Sequence, residues 1–194
     1  TACRKIGEEG IVLLQNNANL LPINLSKVKR IAVIGENAIK MMTVGGGSSS
    51  LKVKYEVTPL EGLKKRIGEQ AEIIYARGYV GDPPGEYNGV KTGQNLKDDR
   101  SPKELRTEAL QVASNADIVL FIGGLNKSEY QDCEGTDRTT MDLPYNQNAL
   151  IMDLLQVNKK LVVINISGTG VAMPWKNHVS TILQAWYLGS ETGN

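Results

Sequence analysis

The residues best suited to chemistry form a short run at 134–138, with the sequence Glu-Gly-Thr-Asp-Arg. This run follows an apolar segment at 117–124 and precedes a Leu-Pro pair at 143–144 that is typical of a helix start. A carboxylate here lies on a loop at the carboxyl end of a predicted buried strand, where open α/β sheets bind ligands. Gly135 permits an unusual backbone conformation and leaves room for a substrate. Glu134 is therefore a candidate general acid.

Other charged residues in the same loop compete with this candidate. Glu129 and Asp132 are carboxylates close to Glu134 in sequence, and either one is an alternative proton donor. Asp137 and Arg138 are candidate supporting residues, because a guanidinium can hold a carboxylate through two hydrogen bonds and so brace the loop. Direct contact with a substrate is the second interpretation of this pair.

A second loop, at 44–50, is rich in glycine and serine and follows a predicted strand at 30–35. Loops of this composition can cradle phosphate groups through their backbone N–H groups. This one has neither the GxGxxG spacing at a strand-to-helix turn nor the Lys-Ser/Thr ending of nucleotide-binding loops. The residues alone therefore favour a flexible loop over a nucleotide site.

The remaining reactive side chains give little indication of chemistry. Cys3 and Cys133 are expected to be free thiols, since two isolated cysteines make no disulfide framework. His178 is the only histidine, and no second ligand has metal-binding spacing, so neither a metal nor a cofactor is expected. Trp175 and Trp186 could stack on a sugar, but their positions after a proline and at the end of an apolar run favour packing in the core.

Composition indicates an ordinary globular protein. The 194 residues are enough for one large core, and the hydrophobic share of 41% is typical. A net charge of +1 gives no electrostatic reason to expect nucleic acid or an acidic membrane as a partner. No apolar run approaches the roughly 20 residues of a membrane span, and no signal peptide is visible. We interpret the chain, which opens at Thr1 without an initiator methionine, as one domain at 1–194 of a longer protein.

The elements that must position these residues alternate between strand and helix. Short apolar runs predict strands at 30–35, 71–76, 117–123, 160–167 and 180–186. Capping boxes at Thr58 and Ser101, each followed by proline, predict two helices, and a third is expected to begin at Pro144. Strands alternating with helices predict a mainly parallel sheet of five to six strands with helices on both faces, which is an α/β sandwich.

Two segments are less regular. Residues 2–14 read as a helical segment whose last part, 11–14, is equally compatible with a strand. The stretch at 78–100 contains many glycines and prolines and is expected to be a mobile surface loop.

Taken in order, these motifs resemble the second domain of glycoside hydrolase family 3, the β-glucosidase and β-xylosidase group. The motifs closest to the family pattern are Gly-Gly-Leu-Asn at 123–126, Glu-Gly-Thr-Asp-Arg at 134–138 and Asp-Leu-Pro at 142–144. Further matching blocks lie at 9–16, 20–22, 31–35, 57–60, 172–175 and 184–189, so the resemblance extends over nearly the whole chain.

The resemblance implies a six-stranded α/β sandwich, of which the sixth strand is expected to be missing here. It also implies a retaining β-glycosidase, which needs two carboxyl groups roughly 5–5.5 Å apart. In the family motif the acid/base is the glutamate immediately before the glycine, which corresponds to Glu134. The family also has a Gly/Ser-rich loop that borders the active site, so Ser48 and Ser49 become candidate substrate-binding residues, because hydroxyl groups suit sugar hydroxyls.

The family places its nucleophilic aspartate on a preceding barrel domain, and this chain contains no counterpart of that aspartate. The expected partners are therefore a β-linked oligosaccharide or glycoside and an N-terminal barrel, and the isolated chain is expected to be inactive. Export of such enzymes by bacteria implies a periplasmic or extracellular location. The sugar that is cleaved and the oligomeric state are not fixed by the sequence.

A non-catalytic interpretation stays open beside this one. A flavodoxin-like binding or interaction module has the same alternation of strands and helices, and in it Glu134 is a solvated loop residue. A barrel-sized segment upstream in the natural protein favours the enzyme over the binding module.

Overall fold

The computed structural model describes residues 2–83 and 90–194. Within these ranges six strands form one sheet in the order β1-β6-β5-β4-β2-β3. The strands are β1 (Val12–Asn16), β2 (Arg30–Ile34), β3 (Glu72–Ala76), β4 (Ile118–Gly124), β5 (Leu161–Ile166) and β6 (Thr181–Gln184). All neighbouring strands pair in parallel except β1 and β6, so the prediction of a mainly parallel sheet is confirmed.

The sixth strand, which the resemblance led us to expect to be missing, is present as β1. It pairs antiparallel with β6, and the register shifts between Leu13 and Gln15. Val12 and Leu13 are both exposed although successive side chains of a strand point to opposite faces of the sheet, and β1 lies at the edge of the sheet. The expectation was wrong because it placed the sixth strand after β6, whereas the sequence supplies it from the start of the chain.

Four helices accompany the sheet in the described part of the chain: α1 (Ala2–Gly10), α2 (Pro59–Ile67), α3 (Pro102–Ser114) and α4 (Gln147–Val157). Both predicted capping boxes are confirmed. The side chain of Thr58 caps α2 together with Glu61, and that of Ser101 caps α3 together with Glu104. These two helix starts could be predicted because every partner in a capping box lies within three residues.

The third predicted helix begins later than expected. Helix α4 starts at Gln147 rather than at Pro144, because Tyr145 and Asn146 have left-handed backbone angles, with φ of 59° and 56°. The ring of Tyr145 stacks on Tyr79 at 5.7 Å between centroids, and its hydroxyl donates to Asp82 Oδ2 at 2.8 Å. These contacts from distant parts of the chain hold Tyr145 out of the helix.

Two apolar layers cover the sheet. Alternate residues of β2 divide between them: Ala32 and Ile34 pack with α3 and α4, whereas Ile31 and Val33 pack on the face that carries α2. Both faces of the central strands are therefore buried, which explains why these strands read as continuous apolar runs. Among the described residues, no helix is both long and apolar enough to cross a bilayer.

The order of the strands locates a crevice at one edge of the sheet. From β2 the chain moves outward to β3, and from β4 it moves the other way to β5 and β6, so the direction reverses between β2 and β4. Ligands of open α/β sheets bind at such a switch point, beyond the carboxyl ends of the strands. The loops that follow β2 and β4 meet there.

The irregular stretch at 78–100 contains no helix or strand in its described parts, 78–83 and 90–100. Its central residues, 84–89, lie outside the described ranges. The mobility expected for this stretch stays a prediction.

Candidate active site

Glu134 lies at the tip of a tight turn at the carboxyl edge of the sheet. A β-bridge between Cys133 and Thr136 closes the turn, and Gly135 has φ of +82°, a conformation that glycine adopts readily. The side chain of Glu134 is exposed. Its backbone N–H donates to the carbonyl of Gly46 at 3.3 Å, which joins the turn to the glycine- and serine-rich loop.

The carboxylate of Glu134 is bound by Ser48. Oε2 accepts a hydrogen bond from the backbone N–H of Ser48 at 2.7 Å, and it also accepts one from the Ser48 hydroxyl. Gly47 makes this approach possible, because a Cβ atom there would lie 2.6 Å from Cβ of Glu134. The 44–50 loop, which the resemblance led us to expect at the border of the active site, therefore lies at the same edge of the sheet as Glu134.

These hydrogen bonds favour the ionised form of the carboxylate. Both donors favour the ionised form, so the Ser48 hydroxyl and the Ser48 N–H together lower the pKa of Glu134 below its ordinary value. A general acid must instead retain its proton near neutral pH. In this domain by itself, the electrostatic environment of Glu134 is thus the reverse of the one that proton donation requires.

Lys127 fixes the 44–50 loop, which binds Glu134. This role of Lys127 was not predicted from the sequence. Its backbone carbonyl accepts from the N–H of Gly46 at 2.8 Å, and its ammonium donates to the carbonyl of Ser49 at 3.2 Å. The two bonds hold the loop on either side of Ser48. Lys127 is only 7% exposed, and this burial lowers the pKa of its ammonium. A lysine three residues after a buried strand carries no sequence signal for this role.

Asp132, an alternative proton donor in the sequence, makes structural contacts instead. Its carboxylate accepts from the backbone N–H of Gly168 at 2.7 Å, from the hydroxyl of Tyr187 at 2.8 Å and from the hydroxyl of Thr169. It therefore links the loops that follow β4, β5 and β6. Burial of Tyr187, with the nearby charge of Asp132, raises the pKa of the Tyr187 phenol far above its ordinary value. Glu129, the remaining carboxylate of this loop, is exposed.

Arg138 braces the site, but not in the expected way. Its Nη2 donates to the hydroxyl of Thr169 at 3.1 Å and to the carbonyl of Gly170 at 2.7 Å, so it binds the loop after β5 rather than a carboxylate. Its Nη1 is buried and has no hydrogen-bond partner among the described residues. Asp137 is exposed, and it lines an open cavity together with Glu134.

The cavity itself is open and has a volume of about 860 Å³. Its wall includes Ser48, Ser49, Lys127, Glu134, Arg138 and Tyr187. The volume falls within the roughly 300–1,000 Å³ of small-molecule sites. Of the backbone donors that could hold a phosphate in this loop, the N–H of Ser48 is bound by Glu134, that of Gly46 by the carbonyl of Lys127 and that of Ser50 by the carbonyl of Gly47, which argues against a nucleotide site. Hydroxyl, ammonium and carboxylate groups converge there, as in a site for a polar, uncharged ligand.

A buried ionic cluster lies between the loops that follow β2 and β3, and it was not predicted from the sequence. Glu36, which is 1% exposed, binds the ammonium of Lys40 at 2.9 Å and the guanidinium of Arg77 at 2.7 Å. It also accepts from the backbone N–H of Gly81 at 2.6 Å. The cluster ties the loop after β2 to the loop after β3. The sequence feature that could have indicated this cluster is a charged residue, Glu36, directly after a predicted buried strand.

Both tryptophans lie outside this cavity. Trp175 is buried in the core, as predicted, and its Nε1 donates to Oδ1 of Asn148 at 2.9 Å. Trp186 is 40% exposed, so its predicted place in the core is wrong. Its backbone is left-handed, with φ of 52°, and its Nε1 donates to the carbonyl of Gly10 at 3.0 Å, which draws the ring toward α1 at the surface. Cys3 and Cys133 are free thiols, as predicted.

A mainly parallel sheet covered on both faces, with a carboxylate over an open cavity at the switch point, defines an α/β sandwich domain with a candidate small-molecule site. The chain belongs to glycosyl hydrolase family 3, whose C-terminal domain matches residues 11–194. It is 44% identical over 194 residues to a β-glucosidase of Bacteroides ovatus, covering 97% of this chain and 25% of that protein. It is 32% identical to a periplasmic β-glucosidase of Salmonella typhimurium, covering 98% of this chain and 25% of that protein.

Structural comparison agrees with this assignment. A crystal structure of a family 3 β-glucosidase from Bifidobacterium adolescentis aligns with a TM-score of 0.77 and 30% identity over 98% of this chain. The chain spans 25% of that protein as well. It therefore corresponds to about a quarter of the length of these relatives.

Proposed function

We propose that this chain is the second domain of a retaining β-glycosidase and that Glu134 is its general acid/base. The observation that carries the proposal is the position of Glu134, whose exposed carboxylate lies on the wall of the open cavity at the switch point of the sheet. In retaining enzymes such a residue protonates the leaving oxygen and later deprotonates water. The two β-glucosidases above, in whose family this chain lies, support a β-glycoside as substrate.

The second carboxyl group, the nucleophile, is proposed to come from a barrel domain elsewhere in the longer protein. A carboxylate placed about 5–5.5 Å from Glu134 would disfavour ionisation of the pair. Docking of a second domain would also remove water from the exposed side chain. Both effects raise a carboxyl pKa, and they oppose the lowering that Ser48 causes in this domain alone.

The remaining residues have supporting roles in this proposal. Ser48 and Ser49 lie at the rim of the cavity and are proposed to contact sugar hydroxyls, Ser48 after it exchanges its bond to Glu134 for one to the substrate. Asp137 and Arg138 are proposed to support the loop. By analogy with the Salmonella relative, we propose a periplasmic or extracellular location.

The second candidate function is the non-catalytic module, and the hydrogen bonds to Glu134 are the observation that favours it. In that case the carboxylate is a permanent structural anchor for the 44–50 loop, bound by Ser48 at 2.7 Å. The two candidate functions predict different effects of one substitution at Glu134 on the rates of glycoside cleavage.

The test is the substitution Glu134→Gln in the full-length protein. It should slow cleavage of glycosides with poor leaving groups far more than cleavage of activated aryl glycosides, because only the former need protonation. It should also slow hydrolysis of the glycosyl-enzyme intermediate, and added azide, which needs no base, should restore turnover of an activated substrate.

Glu129→Gln is the matched control, because this glutamate lies in the same loop and is also exposed. It should leave the rates for both substrate types near those of the unmodified protein. Equal losses on all substrates for Glu134→Gln, without rescue by azide, would assign Glu134 a structural role. The same pattern of rescue in Glu129→Gln would move the proton donor to that residue.

A further inference from the structure

A second cavity lies between the start of α3, the residues before α4 and the loop that follows β3. Its volume is about 550 Å³, which falls within the roughly 300–1,000 Å³ of small-molecule sites. Among the described residues, its lining has no member in common with the cavity that contains Glu134. The proposed function therefore gives this second cavity no role.

Part of the lining of the second cavity is apolar and aromatic. Tyr79 and Tyr145 line it, and their rings stack with centroids 5.7 Å apart. Leu105 and Leu150 are buried members of the lining, whereas Val80 is 37% exposed. Side chains of these kinds form the usual contact surface for a planar ring.

The charged groups of the same lining are mostly basic. Three cations, Arg100, Lys103 and Arg106, accompany one carboxylate, that of Asp98. Arg100 binds Asp98 at 2.7 Å, and Arg106 pairs with Asp153. Lys103 is exposed, and it forms no ion pair with any residue that the structure describes. Its ammonium is therefore the cation of this lining that is available to an anionic ligand.

The start of α4 adds to the positive potential of the second cavity. Asn146, which precedes this helix, lines the cavity and gives the helix no side-chain cap, and the first turn contains no acidic residue. Uncapped N–H groups at a helix start carry a partial positive charge. The second cavity thus combines an apolar, aromatic lining with positive charge, which is complementary to a small planar acid.

Tyr145 connects the second cavity to the loop at 126–134, which carries Glu134. Its hydroxyl accepts hydrogen bonds from Nδ2 of Asn126 at 3.2 Å and from Nε2 of Gln131. Gln131 in turn lines the cavity that contains Glu134. The left-handed backbone of Tyr145, with φ of 59°, persists only where surrounding contacts impose it. A ligand that packs against the Tyr145 ring would therefore stabilise this conformation and the two hydrogen bonds to the loop.

We propose that the second cavity binds a small aromatic carboxylate and that this binding stabilises the 126–134 loop through Tyr145. The ring of the ligand packs against the apolar lining, and its carboxylate pairs with Lys103. The proposal goes beyond the proposed function and does not rest on it, because binding requires no reaction at Glu134.

Isothermal titration calorimetry of the full-length protein with three probes tests the binding site. The probes are benzoate, benzamide, which has nearly the same shape without the charge, and acetate, which has the charge without the ring. Benzoate should bind saturably and about fivefold more tightly than benzamide, which is the scale of one partly exposed charge pair. Acetate should show no saturable binding. Lys103→Met should remove the advantage of benzoate over benzamide, because it keeps the length of the side chain without the ammonium.

Lys97→Met is the matched control. Lys97 is an exposed lysine near the same helix start, but it pairs with Asp99 at 3.0 Å and lines neither cavity. Its substitution should leave the preference for benzoate unchanged. Absence of saturable benzoate binding, or the same preference in Lys103→Met as in the unmodified protein, would overturn the site. Saturable binding of acetate as tight as that of benzoate would overturn the role of the apolar lining.

Hydrogen exchange of the full-length protein, followed by mass spectrometry, tests the connection to the loop. Benzoate should slow amide exchange at 98–106 and 145–150, which contain much of the lining, and also at 126–134, whereas β1 at 12–16 should exchange as before. Tyr145→Phe keeps the ring without the hydroxyl, so it should retain benzoate binding and lose the protection at 126–134. Benzoate binding without protection of that loop in the unmodified protein, or equal protection in Tyr145→Phe, would overturn the connection.

Discussion

At the scale of single residues, the pairing of Glu134 with Ser48 is the main feature of the candidate site in this domain. Two donors from one serine hold the carboxylate ionised. Such a group can act as a base, but it must be released or re-solvated before it can act as an acid. Glu134 and Gly135 could be identified as candidate site residues from the sequence, because the residue types that indicate a site lie within one turn. The bond to Ser48 joins residues 86 positions apart, and no local pattern predicts it.

A titration of this chain tests that pairing. Each hydrogen bond stabilises the carboxylate form, so in the unmodified chain Glu134 should titrate below the ordinary glutamate value of about 4.3. Ser48→Ala removes the hydroxyl donor and should raise the midpoint, although the backbone N–H remains. Carbon-13 NMR of the Glu134 carboxyl group measures both values.

Ser49→Ala is the control, because the hydroxyl of Ser49 donates to the carbonyl of Gly46 and not to Glu134. It should leave the midpoint where it is. A midpoint that is the same in Ser48→Ala and in the unmodified chain would contradict the pairing.

At the scale of elements, the loops after β2 and β4 are brought together by the strand order and joined by charged residues between them. Lys127 binds the 44–50 loop, and Asp132 links three loops. The helix starts at Thr58 and Ser101 depend on local capping, so they can be predicted from the sequence. The start of α4 depends on contacts of Tyr145 with a distant loop, so the start predicted from the sequence is three residues too early.

The buried cluster around Glu36 should contribute strongly to the free energy of unfolding. Glu36→Ala would leave the buried ammonium of Lys40 without its carboxylate, and it would leave Arg77 only its longer contact with Asp98, at 3.5 Å. Removing one partner of a buried ion pair typically costs about 3–5 kcal/mol. Urea denaturation of the chain measures the change.

Glu8→Ala provides the comparison, because Glu8 pairs with Arg4 at the surface of α1, where both side chains are 52% exposed. Exposed pairs contribute about 0.2–1 kcal/mol. If the two variants lose similar stability, the cluster at Glu36 is not the support that the contacts indicate.

At the scale of the whole molecule, the domain presents one carboxylate over an open cavity and corresponds to about a quarter of the length of its relatives, 25% in each case cited above. The fold class follows from alternating strands and helices, and the family follows from motifs spread along the chain. The edge strand β1 is ambiguous in the sequence, because a short apolar run at 11–14 fits a helix end as well as a strand. Only its pairing with β6 decides between them.

The isolated chain should have no significant glycosidase activity, because loss of one member of a catalytic pair typically removes several orders of magnitude of rate. Assays with aryl β-glucoside and aryl β-xyloside measure this. Turnover at ordinary enzyme rates, about 1–1000 per second, would mean that the chain holds a complete active site.

The most direct measurement traps the glycosyl-enzyme intermediate. Full-length protein with Glu134→Gln, mixed with a dinitrophenyl β-glycoside, should form the intermediate quickly and hydrolyse it slowly, because the activated leaving group needs no acid whereas water needs a base. Proteolysis and mass spectrometry then locate the attached sugar. We expect the sugar on a carboxylate outside residues 1–194; a sugar attached within this chain, or no accumulation of the intermediate, would contradict the proposed division of the active site between two domains.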